Sequence, residues 1–393
     1  MVSVKERTVK GNRYLYVSAT SSYKGEKKGF EKSVGPADMD PQVLERRTEF
    51  YKELLDLKAI LYKVYLEAKD TDMKYLSNFY SIYLSMVHNF YSSYLEDLYP
   101  SEFEKYQDDL MVKYIHHTTA IEGNTLTLVE AALVLEDGIA PKGKRLREIH
   151  EIENFKRLIR YMRSYKGDID LDLIRKVHSL VQRNIDDDQA GNTRRIQVGV
   201  LGSTFDPPPA LFVEEELTDL INWYKENPDN LPLFELACIF HYRFVHIHPF
   251  VDGNGRVARE LMNFILQKHG YPPLIVEVTD REDYLKRLQL ADEGDPAPFI
   301  EMLALKMITD YEDVIMSFQK KALEGMDDLT EEELTEIMGT LFWFMSLMRE
   351  FQVQVPREAK EKIQSIRRFF EMSEIPSTTR SPYAPALDEG SEN

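Results

Sequence analysis

The chain predicts a mostly α-helical fold: a helical bundle with a small β arm at its N-terminus and one hairpin near its middle. Three observations predict it. Apolar residues recur at helical spacing through most of residues 41–373, with cap signals between the stretches. Only two segments, within residues 1–40 and about 195–206, have a β-type pattern. Hydrophobic residues make up 43% and charged residues 30% of the 393, the balance of a globular protein with a sizeable core.

Taken in order, Arg13-Tyr14-Leu15-Tyr16-Val17-Ser18 reads as strand, and residues 1–40 as an arm made of a β-hairpin or small sheet. Asp40-Pro41 reads as N-cap and first helical residue. Helices over about 41–68 and 72–97 follow, and Pro100 closes the second. Its stripe of Tyr75, Phe79, Tyr80, Tyr83, Phe90 and Tyr91 suits the core or a face for a second copy, as does the Leu341-Phe342-Trp343-Phe344-Met345 patch. Ser101-Glu102-Phe103-Glu104 has a capping-box pattern and opens a helix over about 102–123, with Gly123 past its end. Thr127-Leu128-Val129-Glu130 is a second box. Helices over 145–165 and 171–183 follow, the latter capped by Asp170. Residues 185–209 then break the pattern, and Ile196 to Phe205 has the shape of a hairpin with glycine at its turn. Further helices are expected over 213–226, 233–246, 254–268, 281–292 and 297–323. A last pair, capped by Thr330-Glu331-Glu332-Glu333 and begun at Pro356, ends near 373, and residues 374–393 read as a disordered tail. The organisation is therefore an arm (1–40), N-terminal helices (41–110), a central domain (111–300), C-terminal helices (301–373) and a tail.

Net charge is −18, which argues against general nucleic-acid binding. Residues 1–33 carry +5, leaving −23 for the rest. A basic arm on an acidic body reads as a solvated hairpin, with an acidic partner or nucleic acid as the alternative. No run approaches about eighteen apolar residues, and Met-Val-Ser-Val-Lys-Glu-Arg lacks a signal peptide's apolar stretch. The expectation is a cytoplasmic protein that engages no membrane. Cys238, the single cysteine, can make no internal disulfide and reads as a small buried hydrophobe.

The chemistry concentrates in His248-Pro249-Phe250-Val251-Asp252-Gly253-Asn254-Gly255-Arg256-Val257-Ala258-Arg259. Gly253 and Gly255 permit backbone conformations that bring successive N–H groups onto a phosphate. The helix beginning there adds the positive end of its dipole. Arg256 and Arg259, at i and i+3, share a face and aim two cations at one anion. Asp252 is placed to hold a hard divalent cation against those phosphates. His248 is the group here that takes a proton near neutral pH. Together these are the parts of a phosphoryl- or nucleotidyl-transfer site.

This stretch resembles the signature of the Fic-domain family, His-Pro-Phe-x-Asp/Glu-Gly-Asn-Gly-Arg-x-x-Arg, with all nine specified positions of twelve present. Thr118-Thr119-Ala120-Ile121-Glu122-Gly123 resembles that family's inhibitory motif, Ser/Thr-x-x-x-Glu-Gly/Asn, N-terminal to the active site. The resemblance implies a Fic-type helical bundle in which Glu122 pairs with Arg259 and keeps it from the γ-phosphate. It implies a flap at Val198, Gly199, Val200, Leu201, Gly202, Ser203 and Thr204, whose edge docks the target segment. Tyr284, on the helix after Asp280, reads as a packing residue with adenine contact as the alternative, and His241 and His246 are expected in the core or behind the site.

The implied reaction is AMP transfer from ATP to a Tyr, Ser or Thr hydroxyl of a target protein, the chain itself included. His248 takes the hydroxyl proton, and Asp252 holds Mg2+ (or Mn2+) across the α- and β-phosphates. The Gly253, Asn254 and Gly255 N–H groups stabilise the α-phosphoryl charge. Asn254, Arg256 and Arg259 contact the α-, β- and γ-phosphates in turn. Family members that phosphorylate instead carry a bulky basic residue in the Gly-Asn-Gly turn, which this chain lacks. The alternatives are removal of AMP with Glu122 orienting water, transfer of another nucleotide group, and a non-catalytic regulatory protein with a vestigial nucleotide site.

Overall fold

In the computed structural model, which describes residues 2–199, 205–323 and 330–354, helices dominate. The chain starts with three strands, β1 (Val2–Val9), β2 (Asn12–Tyr23) and β3 (Glu26–Pro36), paired antiparallel in the order β1-β2-β3. The expected hairpin or small sheet is thus a three-stranded sheet of two hairpins. Each turn is a Lys-Gly pair with both residues at positive φ: Lys10 at 50° and Gly11 at 85°, Lys24 at 44° and Gly25 at 89°. Such turns match the twist of the strands they join. Lysine is an uncommon first residue there, which hid the second turn from the sequence pattern.

Thirteen helices follow among the described residues. They are α1 (Pro41–Asp70), α2 (Asn78–Glu96), α3 (Pro100–Ala120), α4 (Leu128–Ala132), α5 (Leu146–Ser164), α6 (Leu171–Gln182) and α7 (Val213–Glu226). Then come α8 (Leu233–Ile247), α9 (Asn254–Lys268), α10 (Arg281–Asp292), α11 (Ala297–Asp310), α12 (Glu312–Leu323) and α13 (Glu331–Met348). Several caps form where expected: Asp40 accepts from Gln42 and Val43, Asp170 from Leu173, and Thr127 and Thr330 complete reciprocal boxes. One is displaced. Pro100 starts α3 rather than closing α2, since its fixed φ and missing N–H suit a first helical position, so Glu102 reaches back to the Tyr99 N–H at 2.9 Å. The stretch expected as one helix over 297–323 is broken at Tyr311 (φ −114°), whose hydroxyl donates to the Pro273 carbonyl at 2.6 Å.

The β-sheet lies on α1, burying Val17, Ala19 and Val34, and α13 packs against both that helix and β3. Phe30, Tyr62 and Trp343 meet there with ring centroids 5.8–6.1 Å apart. Arg46 reaches Glu333 at 2.5 Å. Phe79 through Val87 of α2 are buried without a gap, so the aromatic stripe belongs to the core on all sides. Leu341 and Phe344 of the second apolar patch are buried too. Helices α3, α5, α6, α8 and α9 pack into the unit that holds the site. Among the described residues no helix is long and apolar enough to cross a membrane. The expected helix from Pro356 and the tail lie outside the described residues.

Candidate nucleotide-transfer site

Helix α8 ends because His248 adopts a left-handed conformation (φ 50°), and the chain turns through Pro249 to Gly253 before α9 begins. Three side chains hold that loop by its backbone. Asn254 accepts from the Phe250 N–H at 2.9 Å and donates to the Phe250 carbonyl at 2.8 Å. Arg194 Nε donates to the His248 carbonyl at 2.8 Å, while the Arg194 N–H donates to the Pro249 carbonyl at 2.9 Å. His178, on α6, has Nε2 3.0 Å from the Asp252 carbonyl, and its Nδ1 accepts from the Gly191 N–H at 2.9 Å. That pair of bonds requires a neutral ring with the proton on Nε2. Burial agrees, pushing His178 down to about 4. Its ring lies flat on Phe250, centroids 3.6 Å apart.

Both amide atoms of Asn254 are engaged with Phe250, so the side chain shapes the loop. What Asn254 and its neighbours offer an anion is backbone. Gly253 (φ 84°) is the residue before α9, and no side chain caps that helix, which leaves its first N–H groups as natural anion donors.

Arg256 and Arg259 are both 2% exposed. Arg256 Nη2 donates to Asp252 Oδ1 at 3.0 Å, and Nη1 stands 3.4 Å from Glu151 Oε1. Its Nε and Nη1 have no hydrogen-bond partner among the described residues, so a buried cation retains donor capacity. Arg259 is engaged through Nε and Nη2. Its Nε donates to Thr118 Oγ1 at 2.9 Å, and Nη2 donates to the Thr118 carbonyl at 2.8 Å and to Glu122 Oε1 at 2.7 Å. Burial disfavours its charge, but Glu122 outweighs that and keeps the guanidinium protonated. Glu122 follows the end of α3, where Gly123 (φ 104°) turns the chain away. A Cβ on Gly255 would collide with the Glu122 carboxylate and lie 3.0 Å from Arg259 Nη1. Glycine at 255 therefore admits the carboxylate to the first turn of α9, the place a helix prepares for an anion.

His248 is mostly buried, and desolvation lowers its affinity for a proton below the ordinary 6.5, with the Val245 carbonyl pulling the other way. A neutral imidazole is the form that accepts a proton. Base-dependent turnover should therefore rise with pH through a midpoint below 6.5 and stand level from there to pH 8. A pH profile of kcat/KM checks this, and an acid limb centred above 6.5 would contradict it.

Asp252 is half-exposed. Burial raises its pKa, but Arg256, the Gly253 N–H and Arg147 hold it below the usual carboxylate value, so it is anionic. Among the described residues no group of three or more His, Cys, Asp or Glu is placed to hold a metal ion. A single hard carboxylate beside an anion site still fits Mg2+, which commonly takes one or two carboxylates and fills its shell with substrate phosphate and water.

Tyr284 is 2% exposed and its hydroxyl lies 2.9 Å from His241 Nε2, so it packs behind Arg259. His246, read as buried or supporting, is part-exposed, with Nδ1 2.9 Å from Asp292 and its ring 4.0 Å from that of Phe205. His241 is in the core, as read. In the flap, Val198 and Gly199 have no strand structure, and Val200, Leu201, Gly202, Ser203 and Thr204 lie outside the described residues. The two stems are tied by Gln197 Nε2 donating to the Pro207 carbonyl at 2.8 Å and Arg194 Nη2 to the Pro208 carbonyl at 2.5 Å.

His178 was not named from sequence and Arg194 only as part of the run before the expected flap, with no role of its own, yet both hold the loop by its backbone. Arg194 is 2% exposed and surrounded by carbonyls. Replacing it with alanine strands those acceptors. Arg194→Ala should cost about 2–4 kcal/mol of stability and lower turnover about tenfold or more through loop misplacement. Urea unfolding and steady-state kinetics check it, and unchanged turnover would show that the loop holds its shape without Arg194.

Comparison with known proteins bears on the same region. Residues 168–266 match the family model described as the Fic/DOC family. The chain is 38% identical over 197 residues to the protein adenylyltransferase fic-1 of Caenorhabditis elegans, covering 49% of this chain and 38% of that one. It is 37% identical to the protein adenylyltransferase Fic of Nematostella vectensis, over 49% of this chain and 46% of the relative. The chain thus spans less than half the length of these curated relatives. The solved structure of residues 134–508 of Fic-1 from C. elegans is similar with a TM-score of 0.54 and 30% identity, over 71% of this chain and 84% of that one. The signature loop, the fold around it and that coverage together place the chain in the Fic/DOC family.

Proposed function

We propose that this chain is a protein adenylyltransferase held in check by its own Glu122. The observation that carries the reading is the Glu122 carboxylate set against Gly255 and paired with Arg259, beside His248. An anion site is assembled and its outer cation is engaged by an internal acid. The name shared by the curated relatives supports the AMP-transfer reading.

In that reading ATP enters with its phosphates over the N-terminus of α9. Backbone N–H groups there meet the charge that spreads over the α-phosphoryl oxygens, the interaction that usually contributes most in such reactions. Arg256 has buried donors ready for a neighbouring phosphate. Arg259 turns from Glu122 to the outer phosphate. His248, neutral and fixed by Arg194 through its carbonyl, takes the proton from a Tyr, Ser or Thr hydroxyl as that oxygen bonds to the α-phosphorus and pyrophosphate leaves. Asp252 would hold Mg2+ or Mn2+, which supplies charge neutralisation for the phosphates when bound. Residues 198–204 are the segment proposed to dock the target's backbone.

Intact-mass spectrometry of Glu122→Gly after incubation with ATP and Mg2+ tests the reading, with the chain itself as first acceptor and a cell extract as second. A gain of one AMP moiety is expected. A gain of phosphate alone would assign a kinase, and loss of AMP from a pre-modified protein would assign the reverse reaction.

A further inference from the structure

Asp252 is the acid offered to a cation at this site, yet both its oxygens are already engaged. Oδ1 accepts from the Gly253 N–H at 2.6 Å and from Arg256 at 3.0 Å. Oδ2 accepts from Arg147 Nη2 at 2.6 Å. The two arginines differ in one decisive respect: the Arg256 side chain is 2% exposed and the Arg147 side chain 56%. One cation is locked in place, and the other stands at the mouth on the first turn of α5.

Arg147 is held there from below. Its Nε reaches Glu151 Oε1, one turn along α5, at 3.3 Å. The other oxygen of Glu151 accepts from Asn124 Nδ2 at 2.8 Å, two residues beyond Glu122. Asn124 also donates to the Glu148 carbonyl at 3.0 Å. Arg147 is therefore oriented by a buried acid that also fixes the turn after the inhibitory residue.

A guanidinium and a divalent cation drawn to one carboxylate oxygen repel each other, so each weakens the other's hold on it. Resting on the reading that Asp252 takes the metal, we propose that Arg147 is a positioning residue that occupies Asp252 Oδ2 in the nucleotide-free protein and competes there with a divalent cation. It lowers the metal affinity of the empty site, which favours entry of the cation together with nucleotide phosphate. An exposed ion pair is a weak competitor, so its removal changes affinity by about two- to five-fold.

The test is Mn2+ binding to the nucleotide-free full chain, read from the electron paramagnetic resonance signal of unbound Mn2+. Wild type, Arg147→Ala, Arg147→Lys and Asp252→Ala are compared, with thermal unfolding to confirm that each is folded. Arg147→Ala should bind about two- to five-fold tighter than wild type, with Arg147→Lys between them, since an ammonium keeps the charge and loses the fork. Asp252→Ala should lose the site. Arg147→Ala binding no tighter than wild type, or showing no measurable Mn2+ site, would overturn the role of Arg147 while leaving the transferase reading intact. Undiminished Mn2+ binding by Asp252→Ala would instead remove Asp252 as the metal ligand, and with it the premise.

Discussion

Glu122→Gly should raise ATP affinity and turnover together by about 30–150-fold, the factor that corresponds to a restraint of about 2–3 kcal/mol. Three bonds hold Arg259, two to Thr118 and one to Glu122, and only the last carries charge. Breaking a fully buried pair costs about 3–5 kcal/mol. The Glu122 side chain is 33% exposed, so the lower part of that range is expected. Removal leaves Arg259 buried, charged and held by neutral oxygens alone, which is a site that draws in an anion. Glu122→Gln separates charge from backbone: it keeps a hydrogen-bond acceptor and should give a smaller gain. Calorimetry with a non-hydrolysable ATP analogue and pyrophosphate release measure the two quantities. Unchanged values in both variants would mean that the Glu122–Arg259 pair is structural only.

His248→Ala, made in the Glu122→Gly background, should lower turnover by about 10²–10⁴-fold, the usual contribution of a positioned base. ATP affinity should stay within a few-fold, because the side chain is removed from the acceptor side and the N-terminus of α9 is untouched. That split between turnover and binding distinguishes loss of a base from collapse of the loop, which would lose both. The loop is well placed to survive, since Arg194 and Asn254 hold it through backbone carbonyls and N–H groups that alanine retains.

Much of this site was legible in the sequence because its parts are close in the chain. His248 to Arg259 is one turn and one helix start, and local rules for glycine, helix dipoles and i,i+3 spacing say what each residue offers. Helix boundaries were legible for a similar reason: Asp170 and Thr127 cap within three residues of themselves. The misses share a physical cause. Arg194 acts on a carbonyl 54 positions away, and His178 on one 74 positions away, so no local pattern reveals them. The available signal was weaker: a histidine on the apolar face of α6 and an arginine beside the Gly191-Asn192 turn. Tyr284 was left between packing and a ligand contact because spacing along α10 does not say which face meets α8. The loop-holding bonds of Asn254 were not legible, because sequence does not show whether an amide turns outward to a ligand or back onto its own loop.

Self-labelling with ATP carrying the radiolabel on the α-phosphate, in Mg2+, tests the central claim most directly. Wild type, Glu122→Gly and the Glu122→Gly/His248→Ala double variant are compared, each beside a γ-labelled control. A restrained adenylyltransferase predicts faint α-label on wild type, strong α-label on Glu122→Gly, none on the double variant and no γ-label on any. Equal α-label on wild type and Glu122→Gly, or label that persists without His248, would contradict it.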